Sequence, residues 1–295
     1  MAKRLLFLWL IALIVSCSGG AKKPGWDNKL VYTGLPPIAY LTEKIAGSEI
    51  TVKTLLRAGQ SPHTFKPTPS QISELSQTRL YLSIGFPFEE TILAKFPAEQ
   101  NGTKIVACDN NIQRYAFEYD YNHGDHQHQA HESDPHIWLS PANAKALAFN
   151  IYTALIEAYP SQFEEFSRNL SSLIDSLEMI DATIIELLQP YKGESIYVYH
   201  PAFGYFTDSY GLYQIAVEIE GKSPSPRQIE ELIQKARKDY VKILFVQPQF
   251  DNKSAQVIAN AIGGSVIAID PLEKDLLQNF IHIATEIETS LNQFK

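Results

Sequence analysis

Eight short runs rich in β-branched and aromatic residues, four on each side of one long helical pattern, constrain this chain more than any other feature. The first four are KLVYTG (29–34), EITVKTLL (49–56), RLYLSIG (79–85) and TKIVAC (103–108). The second four are ESIYVYH (194–200), YQIAVEIEG (213–221), VKILFVQP (241–248) and SVIAID (265–270). Within each set the runs alternate with helical patterns, so each set predicts a parallel α/β sheet with helices on its faces. Between them stands SQFEEFSRNLSSLIDSLEMIDATIIELLQP. Its Phe163, Phe166, Leu170, Leu173, Leu177, Ile180, Ile184 and Leu187 recur every three or four residues, as one helix face requires. Pro160 followed by Ser161 and Glu164 reads as a capping box at the start, and Pro190 as the stop. At about 1.5 Å per residue such a helix runs roughly 43 Å, enough for a stiff spacer between two domains. A single large domain containing one long helix is the competing organisation, and 295 residues suit either.

The opening residues have another character. Lys3 and Arg4 precede the apolar run LLFLWLIALIV, which has the length of a signal-peptide core and is too short to span a bilayer. It ends in IVSC, so residues 1–16 read as a lipoprotein signal peptide with Cys17 as the acylated residue. SGGAKKPGWD then reads as a tether over 17–27. The expected divisions are an N-terminal lobe over 28–160, the linker helix over 161–189 and a C-terminal lobe over 190–295. Loss of residues 1–16 removes two positive charges and takes the net charge from −8 to −10, which disfavours a nucleic-acid partner. With Cys17 lipidated, Cys108 has no disulfide partner and reads as a small buried residue in KIVAC.

Ligands in open α/β sheets bind at the carboxyl ends of strands. His200 ends one run and Asp270 another, and each precedes a proline. His63 lies in a proline-rich loop ahead of Thr68, Pro69 and Gln71, which read as N-cap, first turn and capping-box partner. His136 stands just ahead of Ser140 and Pro141, a second N-cap and first-turn proline. Three imidazoles and a carboxylate make a donor set suited to zinc, although a lone histidine after a strand is commonly a hydrogen-bonded structural residue. Their separations of 73, 64 and 70 residues would close a site between the two halves.

PHTFKPTPSQISEL, DPHIWLSP, YHPAFGYF with GLYQIAVEIEGKSPSPRQIEELI, and IAIDPL resemble, in that order, the four metal-ligand regions of the cluster A-I solute-binding proteins. These are the zinc- and manganese-binding lipoproteins of bacterial ABC importers. The resemblance implies two similar α/β lobes, each a mainly parallel four-stranded sheet with flanking helices. It also implies one long helix between them and a metal in the interlobe cleft, held by His63, His136, His200 and Asp270. Lys66 and Gln71 depart from the acidic residues common at their places, and Ser61 offers no acid beside His63, which leaves Asp270 as the expected fourth ligand. His200 stands where manganese members carry glutamate, and imidazole there favours Zn²⁺ over Mn²⁺ or Fe²⁺.

The stretch NHGDHQHQAHESDPHIWLSP carries five of the eight histidines. Only His136 belongs to the expected site. His123, His126, His128 and His131 fall in an aperiodic polar loop over 119–133, typical of zinc members, which would gather metal beside the cleft or simply be solvated. The expected function is therefore a monomeric, lipid-anchored receptor outside the cytoplasmic membrane that delivers Zn²⁺ to an ABC permease and is not an enzyme. A receptor for manganese or iron is the alternative within the family. A hydrolase using His63, His136 and His200 is the alternative from another class, and a fourth protein ligand would close the position its water needs. Nothing in the chain encodes a host ligand for an adhesin. Because bound imidazoles are neutral, affinity is expected to fall as pH drops through about 6.5.

Overall fold

The computed structural model describes residues 27–94, 96, 102–115, 133–218, 224–250 and 253–292. All eight expected strands are present. The first sheet contains β1 (Asp27–Thr33), β2 (Thr51–Thr54), β3 (Thr78–Ser83) and β4 (Lys104–Ala107) in the order β2-β1-β3-β4. The second contains β5 (Ser195–Val198), β6 (Tyr213–Ala216), β7 (Ile243–Val246) and β8 (Ser265–Ala268) in the order β6-β5-β7-β8. Every pairing is parallel, and the two orders are the same, so the halves repeat one topology. Parallel strands demand crossovers, which the intervening helices supply. In this order the chain reverses direction between the first and third strands of each sheet, and the crevice outside their carboxyl ends is where such folds bind ligands.

The N-terminal crossovers use α1 (Pro36–Ala46), α2 (Pro69–Leu75) and α3 (Pro87–Leu93), each with proline in its first turn. Proline is suited to that position, where its missing N–H would have no intrahelical partner. α4 (Pro141–Ala158) starts at Ser140, whose side chain accepts from the Asn143 N–H, as expected. Thr68 and Gln71 form the expected capping box of α2.

The long helix α5 runs Phe163–Leu188, roughly 39 Å at about 1.5 Å per residue. Its start departs from the sequence expectation. Pro160–Gln162 form a 3₁₀ turn, Gln162 is the N-cap without a side-chain hydrogen bond, and Ser161 with Glu164 does not cap the helix. Phe163, placed at the edge by that turn, is exposed rather than buried. At the other end Leu188 is the fully buried residue, and Leu187 is only partly covered. Phe166, Leu170, Leu173, Leu177 and Ile184 form the buried stripe, which packs on α1, α4 and the C-terminal helix.

The remaining α-helices among the described residues are α6 (Gly204–Tyr210), α7 (Pro226–Lys238), α8 (Lys253–Ile262) and α9 (Leu276–Asn292). α9 packs back along α5 and touches α1, so the end of the chain ties the second half to the first. One hydrophobic core runs through both halves, from Val31, Leu82 and Trp138 to Phe206, Ile269 and Phe280. A smaller core lies on the other face of the second sheet, around Tyr197, Leu232 and Ile258. Cys108 is fully buried within the larger core, and burial pushes its thiol well above the ordinary range. Among the described residues no helix is long and apolar enough to cross a membrane.

Candidate metal centre

Each sequence-predicted ligand lies beyond the carboxyl end of a strand. His63 is in the loop from β2 to α2, His136 in the approach from β4 to α4, His200 two residues past β5, and Asp270 two residues past β8. The fold brings three of them together. One ring nitrogen of each of His63, His136 and His200 lies within 4.8 Å of the other two, and His63 Nε2 is 3.1 Å from His200 Nε2. Two nitrogens bound at about 2.0–2.1 Å to a tetrahedral ion lie roughly 3.4 Å apart, so this spacing fits one small cation. Asp270 is not in that group. Its Oδ1 accepts from Gln249 Nε2 at 2.7 Å and from the Leu272 N–H at 2.8 Å. His123, His126, His128 and His131 lie outside the described residues, as does Cys17.

Buried polar groups hold two of the imidazoles. His136 Nδ1 is 2.8 Å from Asp134 Oδ1, which also accepts the His136 backbone N–H at 2.9 Å. The chain enters this turn fixed by Asp134 N–H to the Tyr115 carbonyl, and by Tyr205 Oη donating to the Asp134 carbonyl. His200 Nδ1 is 3.2 Å from Glu218 Oε1. Gln247, just past β7, accepts the His200 N–H and donates to the His200 carbonyl, stapling the first and third strands of the second sheet at their crevice. Asp134, His136, His200, Glu218 and Gln247 are all buried, whereas His63 is exposed.

Aromatic rings wall the cluster. Phe250 stacks on His200 with centroids 4.5 Å apart, Phe86 meets both His63 and His136 at 5.9 Å, and Trp138 lies 5.4 Å from His136. Phe86 is itself positioned by Glu89, a fully buried carboxylate that accepts from the Phe86 and Ile84 N–H groups, Ser83 Oγ and Tyr81 Oη. Burial raises the Glu89 pKa against the lowering effect of those donors. Gly34 makes room for that carboxylate, since a Cβ at residue 34 would collide with it.

The same surroundings set the protonation of the imidazoles. Burial of the ring, then the His200 and His136 imidazoles, push His63 down to about 3, although the residue as a whole keeps substantial exposure. Burial is also the main cause lowering His200, against the raising effect of Glu218. A histidine depressed in the fold takes up its proton more readily when unfolded. Its contribution to stability is thus intact above about 6.5 and declines as pH falls from there toward the folded value. The metal-free protein should therefore unfold at progressively lower urea concentration between pH 6.5 and 4, and a midpoint independent of pH there would contradict the assignment.

The zinc-uptake complex component A (periplasmic) family, ZnuA, matches residues 31–291. The chain belongs to this family. Over 258 residues it is 27% identical to the zinc-binding protein AdcA of Streptococcus pyogenes, covering 82% of this chain but 50% of AdcA, so it spans about half the length of that relative. A putative metal-binding protein of Chlamydia trachomatis is 26% identical over 283 residues, with 96% and 98% of the two chains covered. A crystal structure of ZnuA superposes with a TM-score of 0.82 at 31% identity, over 90% of this chain and 99% of that one. The architecture that brings His63, His136 and His200 together in this chain is thus shared with that ZnuA structure.

Asp134, Glu218, Gln247 and Gln249 were not singled out from sequence. Asp134 carried a signal, an acid two residues ahead of a candidate ligand in a turn. Glu218 was hidden by the alternation of VEIEG, which reads as strand up to residue 221, whereas β6 ends at Ala216.

Proposed function

We propose that this protein is a receptor outside the cytoplasmic membrane that binds Zn²⁺ between its lobes and passes it to an ABC-type permease. The observation that carries the reading is the convergence of three imidazoles from both sheets within 4.8 Å. Imidazole nitrogen favours a borderline ion such as Zn²⁺ over the harder Mn²⁺. The zinc-binding relatives support the same choice of ion. Asp270 is the fourth ligand in this reading, reached by rotation of its carboxylate out of the hydrogen bond with Gln249. Carriage rather than hydrolysis fits the two nearest buried carboxylates, Asp134 and Glu218, which are turned onto imidazole nitrogens instead of toward a substrate.

The experiment is a metal competition. The purified chain is expected to bind one Zn²⁺ tightly and to prefer it over Mn²⁺, measured by displacement of each ion from a chromophoric chelator. His200→Glu should move that preference toward Mn²⁺, because it exchanges a nitrogen for a hard oxygen. An unchanged ratio in the variant would remove His200 from the ligand set.

Attachment to the membrane in this reading is through lipid on Cys17. Several acyl chains anchor stably where a single one binds marginally. Cys17→Ser should shift the protein from the membrane pellet to the soluble fraction, and a variant that stays in the pellet as the parent does would refute the anchor.

A further inference from the structure

Two of the three clustered imidazoles have a buried acid behind them, one from each half of the chain. Asp134 is 5% exposed and Glu218 2% exposed, and neither has a cationic partner other than the histidine it contacts among the ion pairs of the described residues. A carboxylate this deep in the protein is costly unless it is hydrogen-bonded and balanced by positive charge. Each spends an oxygen on Nδ1 of its histidine, so each selects the tautomer with hydrogen on Nδ1 and makes Nε2 the nitrogen that the ring offers a metal. His200 Nε2 already faces His63 Nε2. His63 has no carboxylate within ion-pair distance among the described residues.

We propose that Asp134 and Glu218 are positioning residues: they fix His136 and His200 in the metal-ready tautomer, and their two negative charges balance a bound dication without touching it. This deepens the zinc-receptor reading and rests on it. The arrangement separates two properties usually supplied by the same ligand. Carboxylate charge strengthens binding of any divalent ion, while at His136 and His200 contact with the ion stays with nitrogen, which keeps the preference for a borderline metal at those two positions. A carboxylate moved into direct contact would add the same charge and weaken that preference.

The test uses the full chain with ¹⁵N-labelled histidine, stripped of metal, and its Glu218→Ala and Glu218→Gln variants. Long-range ¹H–¹⁵N spectra of the wild type should show His136 and His200 protonated on Nδ1. In Glu218→Ala the His200 signal should shift toward the other tautomer and zinc affinity should fall about 10- to 100-fold, the usual effect of removing such a partner. In Glu218→Gln the amide oxygen can still accept from Nδ1, so the tautomer should persist while affinity falls from loss of charge. The ratio of Zn²⁺ to Mn²⁺ affinity should stay at the wild-type value in both. Glu218→Ala with wild-type tautomer and affinity would overturn the positioning role. If that variant does not fold, Glu218→Gln with undiminished affinity would overturn the charge balance, and a wild type protonated on Nε2 of His200 would overturn the positioning. A wild type with both Nδ1–H tautomers that binds no zinc would sink the receptor reading and still support the positioning.

Discussion

His136→Ala is expected to weaken zinc binding by roughly 100- to 1,000-fold. Structural zinc sites bind with about 10–16 kcal/mol shared among four ligands, or roughly 2.5–4 kcal/mol for each. At about 1.4 kcal/mol per tenfold, one ligand corresponds to that loss. The cost should be near the upper end here, because His136 is buried, backed by Asp134 and enclosed by Phe86 and Trp138, so water replaces it poorly. His63→Ala should cost less, since residue 63 is exposed and a water can take the vacated position. Chelator competition on both variants measures the difference. An affinity within tenfold of wild type in His136→Ala would be incompatible with a ligand at this position.

The second large effect concerns stability. Trp138 is fully buried in the N-terminal half, and its Nε1 donates at 2.7 Å to the Pro271 carbonyl in the loop that follows β8. Trp138→Ala removes a large side chain from the shared core, which typically costs about 3–5 kcal/mol. It also leaves a buried carbonyl without its donor, a further loss of about 1–3 kcal/mol. For a chain of this size each kcal/mol lowers the midpoint by roughly 2–4 °C, so a fall of about 10 °C or more is expected in thermal unfolding of the metal-free protein. Trp138→Phe should recover much of the packing and lack only the hydrogen bond. A midpoint for Trp138→Ala within a degree or two of the parent would mean that the two halves are not joined through this residue.

The fold was legible because its signals are local. Each strand is a short β-branched run bounded by turn residues, and Thr68 and Ser140 announce the helices that follow His63 and His136. The three clustered histidines could be picked out because parallel α/β sheets gather ligands at strand ends. What escaped was set by geometry across the chain. Nothing near Asp270 in sequence reveals that Gln249 holds its carboxylate, since the two are 21 residues apart and meet only once β7 and β8 pair. Glu218 and His200 are 18 residues apart and meet through the pairing of β5 with β6. The start of α5 failed for another reason. Ser161 and Glu164 have the right spacing for a capping box, but Pro160 begins a 3₁₀ turn that contains Ser161 and makes Gln162 the N-cap, so Ser161 falls one residue ahead of the capping position.

The single core that runs through both halves limits how this molecule can announce that it is loaded. Swinging the lobes apart would break the hydrogen bond from Trp138 Nε1 to the Pro271 carbonyl and uncover part of the shared core, at about 25 cal/mol for each Å² of apolar surface exposed. The Lys274 to Glu43 and Ser209 to Ser140 contacts would break with it. A ligand shifts a conformational equilibrium only by its difference in affinity for the two states, and a wide opening would consume a large part of what one ion provides. Cargo status must then be written in a small area of surface. The exposed loop bearing His63 is the part of the centre with the least holding it, so in the receptor reading proposed above the transporter would grip that loop rather than sense a change in overall shape.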